Sequence, residues 1–300
     1  MKAEEILKWL DTQGYPYTFR GKRDVEIGGF SSLANYVEDT ITWMKDEKSS
    51  RLSEGGSAVA CAVVKRGVQA DCRAVIETGN PKEVFFAILR NFWGEKRIEG
   101  SVGEGTVISK GALIDPSAVI GCNCSIVGDI SIGAHTVIEH NVVIQGRVRI
   151  GANCYIQSGA VIGIAGFGFS KDAKTKRRTR VEHFGGVEIG DDVFIASHVN
   201  IERGTIDDTV IGSGVKIAPS TLIAHNNVIG EDTIIISSAL YGSVKVGARS
   251  YIAASTIENQ MVIGDDTVIG MGSVVNRPIG DRVIAYGTPA RVIRENDSDL

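Results

Sequence analysis

The chain has 300 residues, and its 32 Lys and Arg against 36 Asp and Glu leave a net charge of −4 at pH 7. That balance offers no basic surplus for a nucleic acid partner. Thirty-six glycines with only 6 prolines argue for many tight turns rather than a disordered tail. Five cysteines, an odd number without a C-x-x-C, indicate neither a disulfide framework nor a zinc knuckle, so a reducing, cytoplasmic compartment is expected.

Residues 1–10 read as a short helix with Ile6, Leu7, Trp9 and Leu10 on one side. Glu4 and Glu5 among them argue against a signal peptide, and no run approaches 18 apolar residues, so no membrane span is expected. Strand-like segments follow at Ala58–Val64 and Ala74–Ile76. Asn80-Pro81 supplies an N-cap and a first helical position for a helix with Phe85, Phe86, Leu89 and Phe92 on its apolar side. Residues 1–100 therefore form a small α/β domain.

From Val102 a different rule takes over. Ile or Val recurs at every sixth position through Ile108, Ile114, Ile120, Ile126, Ile132, Ile138, Ile144, Ile150, Ile156 and Ile162, often with Gly next. Neither the 3.6-residue period of a helix nor the two-residue period of a strand gives this spacing. A parallel β-coil with three flat faces does: one β-branched residue per face points inward, and a small residue turns the corner. The rhythm breaks between Gly168 and Gly186 and resumes at Ile189, Ile195 and Ile201. It slips again before Ile211, and once more before Val246. Such slips are loops ejected from the coil, where function collects. The mainly β coil domain spans 101–280, and residues 281–300 read as a short polar tail.

Four stretches, in this order and spacing, resemble the UDP-3-O-acylglucosamine N-acyltransferases of lipid A biosynthesis, a family of hexapeptide-repeat acyltransferases. They are Ile156-Gln-Ser-Gly159 leading into Gly166-Phe-Gly-Phe169; His183-Phe-Gly-Gly-Val-Glu-Ile-Gly190; Ile201-Glu-Arg-Gly-Thr-Ile-Asp-Asp-Thr209; and Ile223-Ala-His-Asn226. The resemblance implies a left-handed parallel β-helix, a homotrimer, and active sites between subunits. It also implies acyl transfer from a thioester of acyl carrier protein or coenzyme A to the amine of a UDP-linked amino sugar, with no cofactor beyond that co-substrate. His225 stands at the family's general base, and an imidazole with a pKa of about 6.5 suits proton removal from an attacking amine. Gly242 stands where a backbone N–H serves the oxyanion.

By the same resemblance Trp43 and Asn80 fall in the uridine-binding part of the N-terminal domain. Phe167 and Phe169 follow the family's loop pattern and are candidates either for lining an acyl or pantetheine channel or for packing at the loop base. His183, a candidate substrate contact, opens the motif that closes that loop. The basic run containing Lys176, Arg177 and Arg178 is a candidate site for the donor's phosphates or an acidic carrier protein. The chain departs from the family at Ala218 and Pro219, which replace an Asp-Asn pair, and at Gln260, which replaces a second active-site histidine at a substrate-contact position. Gly287-Thr-Pro-Ala290 is more familiar in coenzyme A-dependent acetyltransferases. Two alternatives thus stand beside the first reading: an acetyltransferase on another nucleotide amino sugar for surface polysaccharide, and a non-catalytic scaffold that binds a nucleotide sugar. No two of the five histidines lie 18 residues apart, so no metal site is expected.

Overall fold

The computed structural model describes residues 1–45, 59–95 and 98–296, and divides into two compact units, residues 1–96 and 97–300. No helix among the described residues is long and apolar enough to cross a membrane.

In the first unit, helix α1 (Ala3–Thr12) buries Ala3, Ile6, Leu7 and Leu10. Its first turn is closed by Glu5, whose side chain accepts the Lys2 N–H at 2.7 Å. Strands β1 (Tyr17–Gly21), β2 (Gly29–Phe30), β3 (Thr40–Met44), β4 (Val59–Lys65) and β5 (Cys72–Thr78) form one sheet in the order β1-β5-β4-β3-β2. Only the β1–β5 pair is antiparallel. β4 is buried almost throughout, as expected for a central strand covered on both sides. One side of the sheet packs Ile41, Cys61, Val63 and Ile76 against α1 and helix α2 (Pro81–Trp93). The other side gathers Met44, Ala62, Val64 and Val75. The strand expected at Ala58–Val64 is thus present from Val59; Ala58 lies outside the described residues.

The second unit is the parallel β-helix that the six-residue period predicts. Each face contributes strands of mostly two or three residues, stacked in register on the coils before and after. On the first face Ile120, Ile138, Ile156, Ile195 and Ile217 align; on the second, Ile126, Ile144, Ile162, Ile201 and Ile223; on the third, Ile132, Ile150, Ile189, Ile211 and Ile229. Nearly all of these side chains are fully buried in one continuous core. Each such side chain contributes about 1.5–3 kcal/mol of burial.

Corners are closed by residues that tolerate the left-handed region, such as Asn123, Asn141, Asn153 and Asp192 at φ 55–57°. Inside the corners, small hydroxyl side chains satisfy backbone groups from coil to coil: Thr233 Oγ1 donates to Gly247 O and accepts from Ser250 N, and Ser250 Oγ repeats the pattern with Gly264 O and Thr267 N.

Two features were not visible in the period. Leu240 and Ile257 occupy the second-face core positions after corners one residue shorter than usual, where Ser237 and Ala254 carry φ values of 41° and 40°. Within residues 281–300, read from the sequence as a tail, Val283–Gly287 and Ala290–Glu295 are strands of the solenoid. Val283–Gly287 extends the first face on Val268–Ile269, and Ala290–Glu295 folds back antiparallel on it.

Candidate active site

Both ejected loops leave the solenoid at the same corner, between the second and third faces. One departs after Ala165 and rejoins at Val187; the other departs after Arg203 and rejoins at Thr209. His225 occupies this corner one coil further on, between Ile223 and Val228, and Gly242 the coil after that.

The position of His225 is fixed from several sides. Its backbone N–H donates to Glu202 Oε2 at 3.1 Å. Its Nδ1 lies 3.0 Å from Asn226 Oδ1. The orientation of that amide follows from its other contacts. Asn226 Nδ2 donates to the Asp207 carbonyl at 2.9 Å, while Oδ1 accepts from Thr205 N at 3.0 Å and Thr205 Oγ1 at 2.9 Å. An amide oxygen can only accept, so His225 Nδ1 carries the proton and Nε2 is left with a free lone pair.

Close approaches define the space around the ring. A Cβ on Gly242 would lie 2.6 Å from His225 Cε1 and 2.7 Å from Nε2, so only glycine leaves room for the imidazole there. Gly242 N–H donates to Asn259 Oδ1 at 2.9 Å, so an oxyanion reaches this donor only in exchange for that bond. A Cβ on Gly166 would meet Glu202 Oε2, His183 Nε2 and His225 Cδ2, all within 3.1 Å. These three side chains therefore converge beside the Gly166 backbone.

His183 is only 6% exposed, and its ring meets that of His225 edge to face at 5.2 Å between centroids. Nδ1 bonds the Val181 carbonyl at 3.0 Å and is therefore the protonated nitrogen, leaving Nε2 buried without a partner. Burial pushes the His183 pKa below its ordinary value, and neighbouring His225 and Arg203 push it the same way. Among the described residues the buried side-chain atoms lacking a hydrogen bond are Thr42 Oγ1, His183 Nε2, Arg203 Nε and Asn227 Oδ1. The last three belong to this corner.

The other expected residues are distributed as follows. Phe167 and Phe169 sit 5.0 Å apart, centroid to centroid, at the start of the long loop, with Phe167 88% exposed. Phe184 at 75% and Ile206 at 79% are also exposed on these loops, so apolar surface lines this edge of the solenoid. Lys176, Arg177 and Arg178 lie on an exposed hairpin that pairs Phe169–Lys171 with Arg178–Arg180. Its turn is held by Asp172, which accepts the N–H groups of Lys174 and Thr175, and those bonds hold the carboxyl below its usual pKa range.

Gln260 is exposed two coils beyond His225, its N–H donating to Gly242 O at 2.9 Å. Its neighbour Asn259 makes the side-chain contact at this corner. Ala218 and Pro219 fall at a different corner, between the first and second faces. In the N-terminal unit Trp43 is half-buried against the apolar core. Asn80 is engaged in capping α2: Oδ1 accepts Glu83 N–H and Nδ2 donates to Glu83 Oε2 at 2.7 Å.

The sequence alone assigns no role to Asn226, Glu202, Arg203 or Asn259. The first three stand inside the motifs quoted above. Their contacts come from stacking of coils, which the linear order does not display.

The pattern of similarity agrees with this geometry. Residues 129–163 match the bacterial transferase hexapeptide (six repeats) family. The chain is 34% identical to a UDP-3-O-acylglucosamine N-acyltransferase of Coxiella burnetii, over 93% of this chain and 87% of that protein. A protein of the same name from Bordetella parapertussis is 39% identical over 41% of this chain and 35% of its own length. Among solved structures, the UDP-N-acetylglucosamine O-acyltransferase of Moraxella catarrhalis aligns with a TM-score of 0.58 and 28% identity. That alignment covers 64% of this chain and 74% of that one.

Proposed function

Because this chain belongs to the UDP-3-O-acylglucosamine N-acyltransferase family, we propose that His225 Nε2 is the general base for acyl transfer from a thioester to the amine of a UDP-linked amino sugar. The enzyme is an N-acyltransferase of the lipid A type. The observation that carries the assignment of the base is the Asn226 amide, which leaves Nε2 as the basic nitrogen.

The steps follow from that tautomer. The sugar amine attacks the thioester carbonyl carbon, forming the C–N bond. Nε2 takes one proton from the resulting ammonium, and as the C–S bond breaks the imidazolium returns that proton to the departing thiolate. Asn226 keeps Nδ1 hydrogen-bonded throughout, as a neutral counterpart of the carboxylate in serine hydrolase triads. The oxyanion needs a donor. Gly242 N–H serves if the carbonyl oxygen displaces Asn259 Oδ1.

The donor is a thioester of acyl carrier protein or coenzyme A, with its acyl group against the apolar edge formed by Phe167, Phe169 and Ile206. The basic hairpin faces its phosphate or its carrier. Trp43 serves the uracil ring in the N-terminal unit, the working oligomer is a homotrimer, and the enzyme is cytoplasmic. The free cysteines agree with a reducing compartment. The coenzyme A alternative has its own observation in the Gly287-Thr-Pro-Ala290 turn between the last two strands.

The test is transfer of radiolabelled acyl groups from both donors to a UDP-3-O-acylglucosamine, with wild type beside His225→Ala. A loss of at least about 100-fold in kcat with unchanged melting temperature is expected. Equal rates would return the chain to the scaffold reading. Size-exclusion chromatography with light scattering checks the trimer.

A further inference from the structure

Arg203 is held in a place where, among the described residues, its charge has no ion-pair partner. It ends the second-face strand Asn200–Arg203, and its guanidinium reaches back along the solenoid to the coil that contains Gly146. Gly146 has φ +88°, and a Cβ there would lie 2.7 Å from Arg203 Nη1. The glycine therefore forms the floor of a trough that admits the side chain.

Arg203 Nε is buried and makes no hydrogen bond. Among the described residues no carboxylate comes within ion-pair range of the group. Glu202, next in sequence, instead turns its Oε2 to the His225 N–H. The contrast with other arginines of the solenoid is direct: Arg147 pairs with Asp208, Arg149 with Asp129, and Arg249 with Asp266.

A lysine in such a place could lose its proton, but a guanidinium stays charged at any pH the protein meets. A partly desolvated cation with an unused donor is costly unless an anion completes it. The planar fork of donors matches the oxygens of a phosphate.

We propose that Arg203, lying over Gly146, is a phosphate-binding residue of the catalytic corner. The inference rests on the acyltransferase reading for its two possible sources of phosphate, the diphosphate of a nucleotide sugar and the phosphate of a phosphopantetheine donor. Binding itself can be measured without turnover, so a wild-type protein that binds phosphate but transfers no acyl group from either donor would count against the catalytic reading and leave this one standing.

The experiment is calorimetric titration of the full-length protein with inorganic pyrophosphate, in wild type and Arg203→Gln. Ten- to 100-fold weaker binding is expected in the variant; equal binding overturns the proposal. If Arg203→Gln does not fold, wild-type protein is labelled with phenylglyoxal and mapped by mass spectrometry. Protection of Arg203 by pyrophosphate supports the assignment, and labelling unaffected by pyrophosphate overturns it. Protection by UDP but not uridine identifies the nucleotide sugar as the source. Protection by 4′-phosphopantetheine but not pantetheine identifies the acyl donor.

Discussion

His225 owes its proton arrangement to a neutral neighbour. The Asn226 amide is pinned by Thr205 and Asp207, both on the short ejected loop, so the loop indirectly decides which imidazole nitrogen is basic. Asn226→Ala removes that decision while leaving the coil intact. It should lower kcat by about 10- to 100-fold, because a misassigned tautomer misplaces the lone pair, and lower the melting temperature modestly, because Asn226 sits at φ 60° where alanine is disfavoured. Steady-state kinetics beside circular dichroism checks this, and unchanged kcat would show that the ring is oriented by something else. Gly242→Ala probes the other side of the ring. Its methyl would fall 2.6 Å from Cε1, so the imidazole must shift, and a comparable loss in kcat should appear with the fold preserved. Next to it, His183 links the site to stability. Burial depresses its pKa in the folded state, so the unfolded chain binds this proton more readily. The contribution is present above the unfolded value of about 6.5 and is lost as pH falls from there through the folded value. Melting temperature should therefore drop more steeply below pH 6.5 in wild type than in His183→Asn; identical slopes would contradict the linkage.

At the scale of elements, the two ejected loops do different work. The short one fixes Asn226, whereas the long one carries the basic hairpin and much of the exposed apolar surface. Reversing the charges of Lys176, Arg177 and Arg178 should raise the donor KM about 10-fold and leave kcat nearly unchanged, since the hairpin makes no contact that fixes His225. Equal KM values for both proteins would leave the hairpin a solvated loop. The elements also show what a sequence can disclose. The inward isoleucines were legible because each coil repeats the same constraint: one buried branched residue per face. Leu240 and Ile257 escaped because their corners are one residue shorter, which breaks the count without breaking the stack. Val283–Glu295 escaped because an antiparallel return has no six-residue period. His225 was visible within a motif. The roles of Glu202 beside His225 and of Asn259 beside Gly242 were not, because a corner residue is completed by its neighbour a coil away rather than by its neighbour in the chain.

Taken whole, the solenoid is close to one-dimensional. Each coil meets the coils before and after it, so stability is a sum of neighbouring interfaces and the ends require protection. The C-terminal end acquires it by reversing direction. Val283–Gly287 satisfies the edge of the strand Val268–Ile269, and Ala290–Glu295 then covers Val283–Gly287 with an antiparallel partner. The covering strand carries Arg291, Arg294 and Glu295 on an exposed edge, the kind of charged border that discourages further strand addition. Truncation after Arg282 would remove both strands. It would expose the unpaired backbone of Val268–Ile269 and uncover the core at Ile269, now fully buried. The truncated protein should retain its far-ultraviolet β signature, because loss of an end coil leaves the interior interfaces in place. It should nevertheless self-associate with rising concentration, as edges without a partner do. Light scattering across a dilution series separates the outcomes. Growth of large species in the truncated protein alone would assign the hairpin as the cap, and monodisperse behaviour matching wild type would show that the last full coil terminates the solenoid unaided.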